Sequence, residues 1–314
     1  MTYNKEKVVL VTHNDLDGVG CQIILKSICT YFDITVINCN YDKVDRIVKN
    51  LVTGSEHYDR LFITDISVRD SSVVELINNT TCFSHVVLLD HHETVEELNN
   101  YSWATVKMVD ENNKRVCGTT LLLDYIYNNI TQDIYKQYRD FAEIVRKWDT
   151  WDWFEHRNEE NGMLPKKLND LFHIYGIEKF ETSMIEKLTL GVSIFDETDK
   201  VILDIKQQEI NNYINQKDCS FKKIVVDNHI VGVVFGEMYI SELGNELSTR
   251  HQDCDYIAII NGSTVSLRTT HTNIHLGEIA KKYGGGGHKQ AAGYCIPSSM
   301  DELLRFYFDC STEK

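Results

Sequence analysis

The sequence predicts an α/β protein: an N-terminal parallel sheet with helices on both faces, joined by a helical linker to a smaller α/β domain. Three observations carry this reading. Short apolar runs alternate with helix-period segments through the first ninety or so residues. A charged amphipathic stretch without Pro or Gly, ETDKVILDIKQQEINNYINQK, occupies 197–217. A second set of strand-like runs begins just beyond it, and 314 residues suit two domains of ordinary size. The expected boundaries are 1–190 for the first domain, 191–217 for the linker and 218–314 for the second domain.

In chain order, VVLVT at 8–12 reads as a buried strand. Val19, Ile23, Ile24 and Ile28 then give helix spacing to the segment from Gly18 to about Phe32. The unit recurs as TVINC at 35–39 with a helix through about Leu51, then LFITD at 61–65 with a helix around 71–78, then HVVLLD at 85–90 before another turn. Residues 116–190 look largely helical, interrupted by the Trp-rich turn KWDTWDWF at 147–154. After the linker, KKIVVD, HIVGVVFG, YIAIIN and STVSLRTT read as strands, interleaved with helix-like segments at 242–251 and 274–283.

Composition narrows the function classes. With 42% apolar and 25% charged residues and only 2 prolines, the chain is neither disordered nor collagenous. Its formal charge of -15 disfavours long duplex nucleic acid as a tightly held partner. Nine scattered cysteines, Cys21 to Cys310, form no C-x-x-C pair and suit reduced thiols in a cytoplasmic protein. The opening MTYNKEKVVLV lacks the apolar core of a signal peptide, and no segment approaches 18 uninterrupted apolar residues, so neither secretion nor a membrane partner is expected.

Chemistry concentrates at strand ends. Ligands of open parallel sheets sit at the carboxyl ends of the strands. Here those ends deliver His13-Asn14-Asp15-Leu16-Asp17-Gly18, then Asp65, then Asp90-His91-His92. Taken alone, Asp15 and Asp17 would pass for helix caps. Carboxylates gathered from three strand ends, however, raise one another's pKa unless cations neutralise them, and two divalent metals would do so. An Asp/His set without thiolates suits Mn²⁺ or Fe²⁺, with Co²⁺ and Zn²⁺ less selectively matched and Mg²⁺ less favoured. The reaction class that follows is phosphoester hydrolysis by a metal-activated water.

HNDLDG at 13–18, Asp65 in FITDIS, DHHET at 90–94 and an Asp of KWDTWDW resemble the motifs of the DHH phosphoesterase superfamily. GGGGHKQAAG at 284–293 resembles the glycine-rich signature of its DHHA1 companion domain. The strings HNDLDGVGC, DTWDW, LNDLF, SELGN, VSLRT and GGGGH are similar to the bacterial nanoRNase B branch of oligoribonucleases. The resemblance implies that Asp15 and Asp65 hold one metal and that Asp17, Asp65, His91 and Asp149 hold the second, with Asp65 bridging. His13 is implied as a ligand or close neighbour. Asp149 and Asp152 stand three apart and could share a helical face; Asp149 is the one favoured.

The resemblance further implies catalytic roles for His92, facing the phosphate or leaving oxygen, for Asp90, orienting a histidine, and for His288. Substrate binding is implied for Arg268, Gly284, Gly285, Gly286, Gly287, His288 and Lys289, where a guanidinium fork and unhindered glycine amides suit a phosphate. Trp148, Trp151 and Trp153 fit a local core better than a base-stacking surface, although both readings stay open. The expected activity is hydrolysis of short oligoribonucleotides to mononucleotides with two divalent metals, Mn²⁺ foremost. The alternative is a phosphodiesterase of linear or cyclic signalling dinucleotides such as pApA, pGpG or cyclic di-AMP. The linker helix would permit a homodimer.

Overall fold

A computed structural model describes residues 5–83, 85–133 and 135–296. Cys310 and the end of the expected second domain, 297–314, lie outside the described residues. The chain divides into two compact units, with the boundary between Leu203 and Asp204.

The first unit alternates β1 (Glu6–Thr12), α1 (Leu16–Ile28), β2 (Phe32–Asn38), α2 (Val44–Thr53), β3 (Arg60–Thr64), α3 (Ser71–Asn79) and β4 (His85–Asp90). A 3₁₀ segment (Glu93–Asn100) then leads to β5 (Ala104–Val106). The strands pair in the order β2-β1-β3-β4-β5, each pair parallel. Val8, Val9, Leu10 and Val11 are all fully buried, as a strand covered on both faces requires. One face packs on α1 and on α4 (Gly118–Asn129), α5 (Lys136–Asp149) and α7 (Leu164–Leu190), through Leu16, Ile23, Leu122, Phe141, Leu168 and Phe180. The other packs on α2 and α3 through Val48, Val73 and Ile77.

The strand order reverses between β1 and β3, and that is where an open sheet leaves a crevice at its carboxyl edge. Between α5 and α7 lies the single turn α6 (Asp152–Glu155), and α7 is kinked at Gly176, whose φ is 71°. The last helix of this region, α8 (Glu197–Asp218), contains the unit boundary.

The second unit is a six-stranded mixed sheet of order β10-β11-β9-β8-β7-β6. It is built from β6 (Lys222–Val226), β7 (His229–Phe235), β8 (Tyr256–Asn261), β9 (Thr264–Arg268), β10 (Gly286–Gly287) and β11 (Ala291–Cys295). Helices α9 (Ile240–Arg250) and α10 (Leu276–Lys281) complete it. β7 and β8 run parallel and the other pairs antiparallel.

Two features differ from the sequence reading. The turn expected after Asp90 contains the 3₁₀ segment and leads to a fifth strand of only three residues, too short for a period to show. The glycine-rich stretch, for which no strand is expected, contributes to both strands of a small hairpin. Among the described residues, no helix is long and apolar enough to cross a membrane.

Candidate active site

The crevice at β1 and β3 collects its groups from four places. Asp15 caps α1, its carboxylate accepting from the Gly18 amide at 3.0 Å. Burial works against its charge, yet contact with His13 and the Gly18 amide hold its pKa below the ordinary carboxylate value. Two residues on, Asp17 is 2% exposed and accepts hydrogen bonds from the first amides of α4, Gly118 at 2.6 Å and Thr119 at 2.8 Å. A carboxylate set against a helix N-terminus meets unpaired N–H groups and the positive end of the helix dipole.

Asp65 follows β3 with φ 57°, a left-handed conformation that side-chain-bearing residues seldom adopt, and its side chain is 2% exposed. That backbone turns its carboxylate toward both neighbouring strand ends. His13 Nδ1 lies 2.8 Å from Asp15 Oδ2 and 3.8 Å from Asp65 Oδ2. His91 Nε2 lies 3.2 Å from Asp65 Oδ1, 3.6 Å from Asp149 Oδ2 and 3.7 Å from Asp17 Oδ2. Donor atoms therefore gather in overlapping sets: His13, Asp15 and Asp65; Asp17, His91 and Asp149; and Asp65 with Asp90, His91 and His92.

Asp149 closes α5, whereas Asp152 opens α6 and pairs with Arg146 at 2.5 Å. The two do not share a helical face: the helix ends between them, and only Asp149 enters the cluster.

Electrostatics fit cation binding. Burial, reinforced by the charges of Asp17 and Asp15, pushes Asp65 well above the carboxylate range and Asp149 up to about 8. Among the described residues, the buried Asp65 Oδ2 has no hydrogen-bond partner, and His13 Nδ1 meets only the Asp15 carboxylate, at 2.8 Å. Burial also lowers the pKa of His91, against the pull of Asp17, leaving its ring neutral and able to donate a lone pair. Buried acceptors that repel one another and lack donors are what a divalent cation satisfies.

Asp90 behaves differently. It is 1% exposed but accepts from Ser67 Oγ at 2.5 Å and the His91 amide at 2.7 Å, and its Oδ1 lies 2.6 Å from His92 Nδ1. Burial is outweighed by these contacts and its pKa falls. The same Asp90 contact raises the pKa of His92, against the burial of the ring. His92 Nε2 faces the Tyr41 hydroxyl at 3.2 Å, and the Arg69 guanidinium stands over the Tyr41 ring at 5.3 Å.

Tyr41, Ser67 and Arg69 are absent from the sequence reading. Gly118 is too, though a Cβ there would lie 2.7 Å from Asp65 Cβ and 3.0 Å from Asp17 Oδ2. The one local signal was the Gly-Thr-Thr run opening a helix.

In the second unit, Arg268 ends β9, its stem against Gly244 of α9. Its guanidinium donates to Leu267 O at 2.9 Å and Ser241 Oγ at 3.2 Å. The amides of Gly284, Gly285 and His288 donate to Lys281 O, Ala280 O and Ala291 O, so these three are committed to the protein's own turn and hairpin. A Cβ at Gly285 would lie 2.1 Å from Gly293 O, so close strand approach alone requires that glycine. The expectation that the glycine amides are open to a phosphate is corrected for these positions. His288 and Lys289 stand at the hairpin tip between β10 and β11.

Residues 7–146 match the DHH family, N-terminal domain, and residues 241–312 match the DHHA1 domain. The chain is 35% identical over 301 residues to oligoribonuclease NrnB of Bacillus subtilis, covering 94% of this chain and 74% of that protein. In fold it is similar to a pGpG-specific phosphodiesterase of Vibrio cholerae, with a TM-score of 0.55, 16% identity and 96% of each chain covered. It is also similar to a manganese-bound exonuclease RecJ, with a TM-score of 0.56, 13% identity, and coverage of 97% of this chain and 88% of that one. The chain belongs to the DHH family, with a DHHA1 domain following its N-terminal DHH domain.

Proposed function

We propose that this protein is a metal-dependent phosphodiesterase that hydrolyses short oligoribonucleotides to mononucleotides. The observation that carries the chemistry is the set of donors converging on Asp65 from three strand ends and from the end of α5. The likeness to oligoribonuclease NrnB over 94% of the chain supports short RNA as the substrate.

His13, Asp15 and Asp65 would hold one divalent cation and Asp17, Asp65, His91 and Asp149 a second, Asp65 serving both. The mixed carboxylate and imidazole set favours Mn²⁺. Such a pair supplies Lewis acidity toward the phosphoryl oxygens and a nucleophilic water at neutral pH.

The chain's own residues do the rest. Asp90 holds His92 by one ring nitrogen and raises its pKa, so the other nitrogen presents N–H to a nonbridging or departing oxygen. Two amides of α4 fix Asp17, and the left-handed backbone at Asp65 aims its carboxylate between both donor sets. Arg268, His288 and Lys289 would bind the substrate, His288 with a catalytic share as well, and the glycine run builds the hairpin that carries the last two. The raised carboxylate pKa values mean that the metal-free cluster retains protons at neutral pH, which metal binding must displace. Buried free thiols such as Cys21 and Cys117 suit a cytoplasmic setting.

The test is a time course with Mn²⁺ on end-labelled RNAs of about two, five and twenty-four nucleotides, beside pApA and cyclic di-AMP, since short substrates need few phosphate contacts. Fast release of mononucleotides from the short RNAs, with the long RNA spared, is expected. Preference for the cyclic dinucleotide would move the enzyme to signal turnover, and inactivity on every substrate would overturn the proposal.

A further inference from the structure

Two residues beyond Asp149, Trp151 has φ 62° and ψ 10°, a left-handed backbone that a tryptophan adopts only under constraint. Its side chain is nonetheless 56% exposed. These facts oppose the reading of this indole as simple core. The left-handed conformation is unfavourable for a residue with a side chain, and a ring left mostly in water recovers only part of what its burial would give. Strain kept without burial is the pattern of a side chain held for use.

The surroundings fix it there. Buried Arg146 donates to both Glu143 oxygens at 2.8 Å, to Asp152 at 2.5 Å, to Thr150 Oγ1 at 3.3 Å and to the Arg115 carbonyl at 3.2 Å. Residues on both sides of Trp151 are therefore tied to one guanidinium. Beneath it, Trp148 and Trp153 complete a group of three indoles with planes within 20–28° and centroids 5.5–6.1 Å apart. Trp153 is 7% exposed and Trp148 is half-buried against the core, so Trp151 is the indole of the three most open to solvent. Phe154 meets it edge-on at 6.3 Å, and Arg157 stacks on Phe154 at 4.1 Å.

We infer that Trp151, backed by Trp148 and Trp153 and positioned by Arg146, is a stacking platform for a nucleobase of the substrate beside the Asp149 end of the cluster. The inference rests on the proposed nucleolytic reading and adds a base-binding subsite to it. Two peptide steps of about 3.8 Å separate Asp149 from Trp151, so a nucleotide whose phosphate reacts at the cluster has a base within reach of the same turn. Stacking on an indole is tolerant of base identity, because each base offers a π-face.

The experiment compares wild type, Trp151→Ala, Trp151→Tyr and Trp151→Gly on 5′-phosphorylated diadenylate and on the same dinucleotide lacking its bases. KM for the diadenylate should rise about tenfold in Trp151→Ala, the size of one base-aromatic contact, and recover in Trp151→Tyr. The preference for the base-bearing substrate should collapse. Trp151→Gly should share the KM defect yet melt roughly 2–4 °C above Trp151→Ala, because glycine relieves the backbone. Equal losses on both substrates, or none on the diadenylate, overturn the platform. Tryptophan fluorescence, titrated with Mg²⁺ and a phosphonate-linked diadenylate that cannot be cleaved, separates the two claims. Trp151-dependent quenching in a protein that cleaves no RNA would keep the platform and remove the nucleolytic reading. Active cleavage without such quenching would do the reverse, and absence of both would remove both.

Discussion

The two sheets treat polar groups in opposite ways. At the carboxyl edge of the first, Asp17, Asp65 and Asp90 are buried to 1–2% exposure, and Asp65 keeps an oxygen without a donor among the described residues. In the second, the glycine-rich hairpin spends the amides of Gly284, Gly285 and His288 on its own backbone, and the groups left to meet a ligand are side chains at its tip. The difference teaches where each unit stores its function. The first holds an electrostatic conflict that cations would resolve, whereas the hairpin amides of the second are already satisfied, and the proposed function gives substrate recognition there to Arg268, His288 and Lys289.

The sharpest way to break this contrast is Asp65→Ala. Turnover on short RNA should fall on the order of 10³-fold, comparable to losing a principal transition-state contact. The metal-free variant should melt higher than wild type, since a repelling buried carboxylate is gone. Wild-type turnover in metal-defined buffer, measured beside circular dichroism, would sink the assignment. Gly118→Ala probes the same edge through packing: a Cβ 2.7 Å from Asp65 Cβ must displace that side chain, and displacement by about 1 Å costs roughly 10²-fold in rate. If kcat stays within a factor of two, Gly118 does not hold the geometry.

Arg268→Lys tests the other side. Removing the planar fork should raise KM about tenfold and leave kcat nearly unchanged, because the loss lies in binding rather than in the reacting groups. A fall in kcat with KM intact would place Arg268 in the chemistry and erase the division of labour.

Smallest is a pH effect on melting without metal. Asp149, with a folded pKa of about 8, keeps its proton at pH values where the unfolded chain has lost it. Its contribution to stability therefore falls as pH rises from about 4 toward 8. Asp149→Asn should flatten this slope, and an unchanged slope would refute the assignment. Glu143 runs the other way. Despite burial, Arg146 and Lys114 lower its pKa to about 2, so its contribution is full above the unfolded value and declines only below about pH 4.5.

What could be seen in the sequence follows from how local each signal is. Val8–Val11, Leu61–Ile63 and Val86–Leu89 announce buried strands, and Asp15, Asp17, Asp65 and His91 stand within a few residues of their ends. Strand and candidate ligand are therefore read together. Asp149 and Asp152 could not be separated by spacing, because the break in helix that separates them is made by Arg146 and the left-handed Trp151. Tyr41 was hidden because its contact with His92 spans 51 residues and no pattern marks it. Gly118 and Thr119 contribute backbone N–H groups, which no residue type advertises. The hairpin at β10 and β11 was hidden because glycine runs carry no alternating pattern.

The grip of α4 on Asp17 joins residues 101 and 102 positions apart in the chain. A ribosome that has released the chain only as far as His91, just past the fourth strand, has made Asp15, Asp17, Asp65 and His91 without the amides that orient Asp17. The proposed metal centre therefore matures only after the turn at Gly118 has docked. Half-made chains should be poor nucleases, and this chemistry, which would be hazardous in a loosely folded chain among cellular RNA, is withheld until most of the domain is in place.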